Sequence, residues 1–492
     1  MSLIDIANLT FGYDGTDENI FENVSFRIDT DWKLGFTGRN GRGKTTFLNL
    51  LLGKYEYSGT ISSHTEFEYF PYAPSDEHEI TAEIIREHAP GAEDWEILRE
   101  LSLLECGDDV MYRPFCTLSN GEQTKALLAA LFLDANRFLL IDEPTNHLDV
   151  KGREAVGRYL NAKKGFLLVS HDRKFLDSCI DHILSINKTD IQIQPGNFSS
   201  WMSGKQMQDR HEQNKNEKLK KDIKRLTQSA QRTEKWSLET EKGKYGSKNA
   251  GLRPDRGYVG HKAAKLMARS KSIETRQLNA AAEKEKLLKN IENSEALKIT
   301  PISFYTQNLV EVEGLSIFYG EKAVCENVSF TVHSGEKILL SGKNGSGKSS
   351  ILKLICGEDI PHTGAVRKSE RLKISYVPQT ADGLSGTLRD YAEHWKIDET
   401  RFKTILRKFD FSRTLLEKPA ETFSQGQKKK VLLARSLCEN AHIYIWDEPL
   451  NYIDVISRMQ IEELLAGNCT TLLFVEHDLS FCEKIAGRII SL

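Results

Sequence analysis

The sequence predicts an α/β chain made by tandem duplication: two mainly parallel sheets with crossover helices, joined by a long α-helical hairpin. Three observations carry this. Four motifs recur in one order at one offset, apolar runs of strand length accompany them, and a central stretch nearly free of glycine and proline separates the two sets.

The repeat comes first. GRNGRGKT at Gly38–Thr45 returns as GKNGSGKS at Gly342–Ser349, and LSNGEQ at Leu118–Gln123 as FSQGQK at Phe423–Lys428. LLIDEPTNHLD at Leu139–Asp149 returns as YIWDEPLNYID at Tyr444–Asp454, and LLVSHD at Leu167–Asp172 as LLFVEHD at Leu472–Asp478. Lys44 to Lys348 is 304 residues, Ser119 to Ser424 and Glu143 to Glu448 are 305, and His171 to His477 is 306. That period is too long for a solenoid and fits a duplicated domain.

Each copy opens on a strand pattern, LIDIANLTF and LVEVEGLSIFY. Runs such as Arg137–Glu143 and Gly165–Ser170 are apolar at their centres and read as buried parallel strands. From about Trp201 to Trp236 the chain has no glycine or proline except Gly204, and from about His261 to Glu295 it has neither. Two helices of ~35 residues, on the order of 50 Å each, are expected there. The glycines and Pro254 fall between them, where the chain must turn. The expected domains are 1–198, a linker over 199–300 with its tip at about 237–262, and 301–492.

Composition sets limits. The 492 residues are 39% hydrophobic and 28% charged, as in a soluble globular protein. No apolar run approaches the ~18 residues of a membrane span, and MSLIDIANLT has no secretory pattern. The eight cysteines form no CxxC pair or zinc spacing, which suits reduced thiols in a cytoplasmic protein. Net charge is −3, but residues 201–300 hold 24 Lys and Arg against 13 Asp and Glu. That local excess of 11 leaves −14 on the remainder. Such asymmetry fits a polyanion partner for the middle segment, or simply a solvated helix face.

GxxxxGK[ST] is a phosphate-binding loop: glycines let backbone N–H groups close on phosphates at a helix N-terminus. The expected ATP contacts are Gly38, Asn40, Gly41, Gly43, Lys44, Thr45 and Thr46, and in the second copy Gly342, Asn344, Gly345, Gly347, Lys348, Ser349 and Ser350. The lysines reach the β/γ-phosphates, and Thr45 and Ser349 are ligands for Mg²⁺. Asp142 and Asp447, each ending an apolar strand, suit the same ion. Glu143 and Glu448 follow them and are placed to polarise the attacking water. His171 and His477 are expected to sense the γ-phosphate. Tyr13 and Tyr319, about 30 residues before each lysine, are candidates to stack on a purine, although an aromatic in such a strand is more often core.

Together the phosphate loop, the LSxG signature, the Asp-Glu strand end, the EPxN(H/Y)xD loop and the switch histidine resemble an ABC-type ATPase, over nearly the whole chain outside the linker. The resemblance implies two nucleotide domains of one monomer closing head to tail, with ATP between the phosphate loop of one and the signature of the other. One site then pairs Lys44 with Ser424, Gln425, Gly426 and Gln427, and the other pairs Lys348 with Ser119, Asn120, Gly121 and Glu122. YVPQ puts Gln379 at the family's Q-loop position, where an amide oxygen organises Mg²⁺ and water. The first copy has YFPY, so Tyr72 stands there, and the Lys44 site is expected to be slower. Phe423 replaces the signature leucine, and Gln427 stands where the first copy has Glu122.

Two fused nucleotide domains with a charged helical linker and no membrane segment resemble the ABC-F class. That class implies binding to the bacterial 70S ribosome near the tRNA exit site. The linker tip then lies toward P-site tRNA and the ribosomal RNA of the peptidyl-transferase centre. EPLNYID and FSQGQKKK are similar to the Lsa-type antibiotic-resistance members, which implies displacement of lincosamide, pleuromutilin or streptogramin A drugs. Under this reading Lys242, Lys244, Lys248, Arg253, Arg256, Lys262 and Lys265 bind RNA by releasing counterions. Tyr245 and Tyr258 stack on unpaired bases. The other readings are a housekeeping translation factor of the same class, a transporter engine and a DNA-associated ATPase.

Overall fold

A computed structural model describes residues 2–13, 19–134, 137–146, 148–186, 191–208, 297–320, 322–381 and 383–492, with scattered residues from 210 to 279. It forms two compact units, one of residues 1–199 with 294–492 and one of residues 200–293.

The first copy contributes β1 (Leu3–Phe11), β2 (Phe21–Asp29), β3 (Lys33–Thr37), β4 (Ser58–Ser62), β5 (Glu66–Phe70), β6 (Arg137–Asp142), β7 (Phe166–Val169), β8 (His182–Ile186) and β9 (Ile191–Pro195). A six-stranded sheet runs β5-β6-β7-β3-β8-β9, parallel except for the β8/β9 pair. The second copy repeats it with β10 (Asn308–Tyr319), β11 (Lys322–His333), β12 (Lys337–Ser341), β13 (His362–Lys368), β14 (Ile374–Val377), β15 (Ile443–Asp447), β16 (Leu472–Val475) and β17 (Arg488–Ser491). Its parallel sheet runs β14-β15-β16-β12-β17. The α/β architecture with crossover helices is the one expected.

The opening strand of each copy does not join the parallel sheet. It pairs antiparallel in a separate three-stranded sheet, β2-β1-β4 and β11-β10-β13. The reason lies in side-chain pattern. β1 alternates, burying Ile4, Ile6, Leu9 and Phe11 and leaving the residues between them less covered, which suits a sheet with one wet face. β7 (FLLV) and β16 (LLFV) are buried at every position, because helices cover both sides of the central sheet.

The helices behind the site are held by local chemistry. Ser119 accepts a hydrogen bond from Glu122 N–H and Glu122 answers at the Ser119 N–H, a capping box that starts the helix Asn120–Leu133. Ser424 and Gln427 do the same for the helix Gln425–Cys438. In the second unit, every described residue from 201 to 235 and from 261 to 279 is helical. The proposed tip residues Lys242, Lys244, Tyr245, Lys248, Arg253, Arg256 and Tyr258 lie outside the described residues; Lys262 and Lys265 are helical and exposed.

Trp446, fully buried on β15 with its Nε1–H donating to Ser436 Oγ at 3.0 Å, anchors the strand that ends in Asp447. Trp446→Ala leaves a cavity beneath that strand and is expected to destabilise the second copy by about 3–5 kcal/mol, measured as a fall in its urea midpoint.

Candidate functional site

Each phosphate loop ends in a glycine that only glycine can be. Gly43 caps the helix Lys44–Leu51 at φ 91°, and a Cβ there would lie 2.5 Å from Ile20 Cγ2. Gly347 caps the helix Lys348–Cys356 at φ 83°. This left-handed turn aims the first helical N–H groups into the loop. Both lysines fold back across it. Lys44 Nζ donates to Gly38 O at 2.7 Å and Arg39 O at 3.3 Å. Lys348 Nζ donates to Gly342 O at 2.9 Å and Lys343 O at 2.8 Å.

The two copies meet head to tail. A cavity of 1020 Å³ has Ser119 and Gly121 of the first signature on one wall and Lys348 and Ser349 on the other, with Glu448 and His477 at its base. Asn120, Glu122, Gln379, Asn344, Gly345 and Gly347 also line it. In the opposite pairing Asn40 donates to Tyr452 O at 2.6 Å. A Cβ on Gly426 would come within 2.3 Å of Asn40 Nδ2 and 2.4 Å of Tyr452 O, so signature glycine and phosphate loop are in close contact. Gln427 Nε2 lies beside Gly41. Tyr13 and Tyr319 are 41% and 54% exposed, and their hydroxyls bond Thr46 Oγ1 at 2.9 Å and Ser350 Oγ at 3.0 Å. The Tyr13 ring also packs edge-on against Phe11 and Tyr55, with centroids 5.2 and 5.7 Å away.

Thr45 Oγ1 lies 3.5 Å from Asp142 Oδ2, which also accepts from Tyr69 OH at 3.2 Å. Among the described residues, neither buried oxygen of Asp447 has a hydrogen-bond partner. Burial, tempered by Ser349, pushes its carboxyl up to about 6. A buried carboxylate with open lone pairs beside a serine hydroxyl fits a divalent cation.

The catalytic candidates differ between copies. Glu143 and Glu448 both sit at positive φ, 51° and 45°, and each faces its histidine across 3.6 Å from Nε2 to Oε1. Glu143 is buried beside Asp142, which pushes it up to about 8. Burial also disfavours the charged form of Glu448, but hydrogen bonds from His477, Gln379 and Asn451 outweigh it and hold it at about 2. Tyr72 makes no such bond. Its buried hydroxyl has no partner among the described residues, and its ring packs 3.8 Å from that of His88. The missing amide is therefore one physical source of the difference.

Other residues at the site carried weaker signals. Arg153 Nη1 bonds Asp172 Oδ2 at 3.0 Å in its own copy and His477 O at 3.3 Å in the other. Arg458, 305 residues on, bonds Asp478 Oδ2 at 3.0 Å. Asp454, which ends EPLNYID, pairs with Lys430 at 2.5 Å in a buried contact near Lys44. Lys429 is 1% exposed and donates to Pro378 O, Gln379 O and Asp447 O at 2.7, 3.0 and 3.3 Å. The shared offset marks the arginines; Lys429 has Thr124 as its counterpart, so the repeat hides it.

The ABC transporter family model matches residues 21–146 and 325–451. The ribosome protection protein VmlR of Bacillus subtilis is 29% identical, over 98% of this chain and 85% of the relative. The ATP-binding protein Uup of Caulobacter vibrioides is 28% identical, over 96% and 74%. Among solved structures, an archaeal ribosome recycling factor in complex with a ribosomal stalk protein superposes with TM-score 0.62 at 20% identity, covering 98% of this chain and 87% of that one. An RNase-L inhibitor superposes at 0.59 and 20%, covering 99% and 87%. The chain belongs to the ABC transporter family and carries its ATPase domain twice in tandem. Among its described residues no helix is long and apolar enough to cross a membrane.

Two outcomes test this geometry. Gly426→Ala forces Asn40 and Tyr452 apart and is expected to lower ATPase activity at least tenfold, since misplacement by about 1 Å has effects of order 10²-fold. The second is a pH profile. Glu143, raised to about 8, is protonated at neutral pH and becomes a base only as pH rises through that value. In Glu448→Gln protein, residual turnover should therefore climb between pH 7 and 9. In Glu143→Gln protein, with Glu448 ionised from about pH 2 upward, it should not.

Proposed function

We propose that this ATPase binds the bacterial 70S ribosome near the tRNA exit site and uses its linker tip to displace antibiotics from the peptidyl-transferase centre. The observation that carries the reading is the end-to-end match to a ribosome protection protein, at 98% of this chain, which takes in the basic linker as well as the ATPase copies. The charge excess of residues 201–300 supports a polyanion partner. The domains act as a nucleotide-binding copy over 1–198, a linker over 199–300 and a second copy over 301–492, in a monomer that works where ribosomes do, in the cytoplasm.

In this reading ATP seats in both sites, with Tyr13 and Tyr319 on the bases and the loop lysines on the phosphates. The signature residues Ser119 to Glu122 and Ser424 to Gln427 close from the opposite copy. Closure selects the state that contacts both nucleotides. Thr45 with Asp142, and Ser349 with Asp447 and Gln379, hold Mg²⁺, which neutralises phosphate charge when bound. Glu143 and Glu448 orient water, and His171 and His477 hold them in place. Hydrolysis removes the γ-phosphate contacts, the copies part and the protein leaves the ribosome. Lys242, Lys244, Lys248, Arg253, Arg256, Lys262 and Lys265 contact RNA, with Tyr245 and Tyr258 stacking.

The Glu143→Gln/Glu448→Gln protein is expected to pellet with 70S ribosomes in ATP and not without it, and to lose this on deletion of Lys242–Lys262. Absence of ATP-dependent pelleting would falsify the ribosome reading. Raised resistance to lincosamides or pleuromutilins on expression separates drug protection from a housekeeping role.

A further inference from the structure

The first phosphate loop carries two arginines, Arg39 and Arg42, at positions where the second has Lys343 and Ser346. Both reach the other copy. Arg42 Nη2 bonds Asp410 Oδ2 at 2.9 Å, and Arg39 Nη1 lies 3.8 Å from Asp410 Oδ1. The three side chains are 22%, 4% and 28% exposed, so the pairing is partly withdrawn from water. Asp410 follows the helix Glu399–Lys408, held at φ 69° with its N–H donating to Arg407 O at 3.0 Å. Its carboxylate is thereby turned outward on a fixed turn.

The counterpart in the first copy, 305 residues earlier, is Glu105. It has the same left-handed turn, φ 56°, but its carboxylate pairs with Arg158 of its own copy. The cross-copy clamp on a phosphate loop is therefore built at Asp410, whereas its equivalent Glu105 pairs at the surface of its own copy.

We propose that Asp410 is a positioning residue acting in trans: it grips Arg39 and Arg42, holds the first phosphate loop against the Ser424–Gly426 signature, and tightens ATP in the Lys44 site. Charge-assisted bonds at a partly buried contact are about twice as strong as neutral ones. The clamp spans the joint that must part when the site opens. It acts on the Lys44 site alone and does not depend on the ribosome reading, since it is tested without ribosomes.

The test is steady-state ATPase activity in two backgrounds. In Glu448→Gln protein, where turnover reports the Lys44 site, Asp410→Asn should lower kcat/KM for ATP about tenfold, mostly through KM. Asp410→Glu should recover most of the loss and Glu105→Gln should have no effect. In Glu143→Gln protein, which reports the Lys348 site, Asp410→Asn should change little. If turnover is too slow to fit, a fluorescent ATP analogue titrated into the Glu143→Gln/Glu448→Gln protein makes the same comparison, with one of two sites weakened about tenfold. An equal loss in both backgrounds would mean a structural role and overturn the proposal. So would unchanged KM, an equal effect of Glu105→Gln, or tighter ATP binding, which would show that Asp410 only screens the arginines.

Discussion

Each phosphate loop is half of a site. Its glycines and helix N-terminus can surround a phosphate chain from one side only, and the donors for the far side sit on a helix of the other copy. Contact between Asn40 and Gly426, and the cavity shared by Lys348 and Ser119, express this constraint. It explains why the domain is duplicated, why the signature starts with a serine at a helix cap, and why a glycine must stand where the loop arrives. In the proposed cycle it also ties chemistry to shape, because filling the sites and closing the copies are one event.

The two sites share a plan and differ in electrostatics. At the Lys348 site the glutamate is ionised by three hydrogen bonds, one of them from the Q-loop amide. At the Lys44 site Tyr72 leaves that bond unmade, and the glutamate is pushed toward its neutral form by burial and by Asp142. Desolvation acts on both; compensation is what separates them. The same asymmetry reaches the signature helix Gln425–Cys438, whose Ser424 faces the Lys44 site while its Lys429 grips the backbone of Pro378, Gln379 and Asp447 at the other. One rigid helix thus touches both sites.

Much of the fold was legible because its signals are local. A glycine at positive φ, a Ser-x-x-Glu cap and a four-residue apolar strand each act over a few residues. The opening strands were legible only in part, because period-2 alternation identifies a strand without saying which sheet it joins. β1 was readable as a strand, but its separate antiparallel sheet follows from having one wet face. Lys429 escaped because the duplication, so useful for Asp142 and Asp447, blinds the eye to residues present in one copy only.

The sequence by itself determined the class of chemistry and the order of the motifs, because these depend on backbone geometry within each motif. Tertiary structure alone decided which copy clamps which loop, that Asp410 reaches across while Glu105 pairs within its own copy, and that burial and hydrogen bonding push Glu143 and Glu448 in opposite directions. Those outcomes rest on burial and on contacts between residues more than 300 positions apart, and no local pattern encodes them.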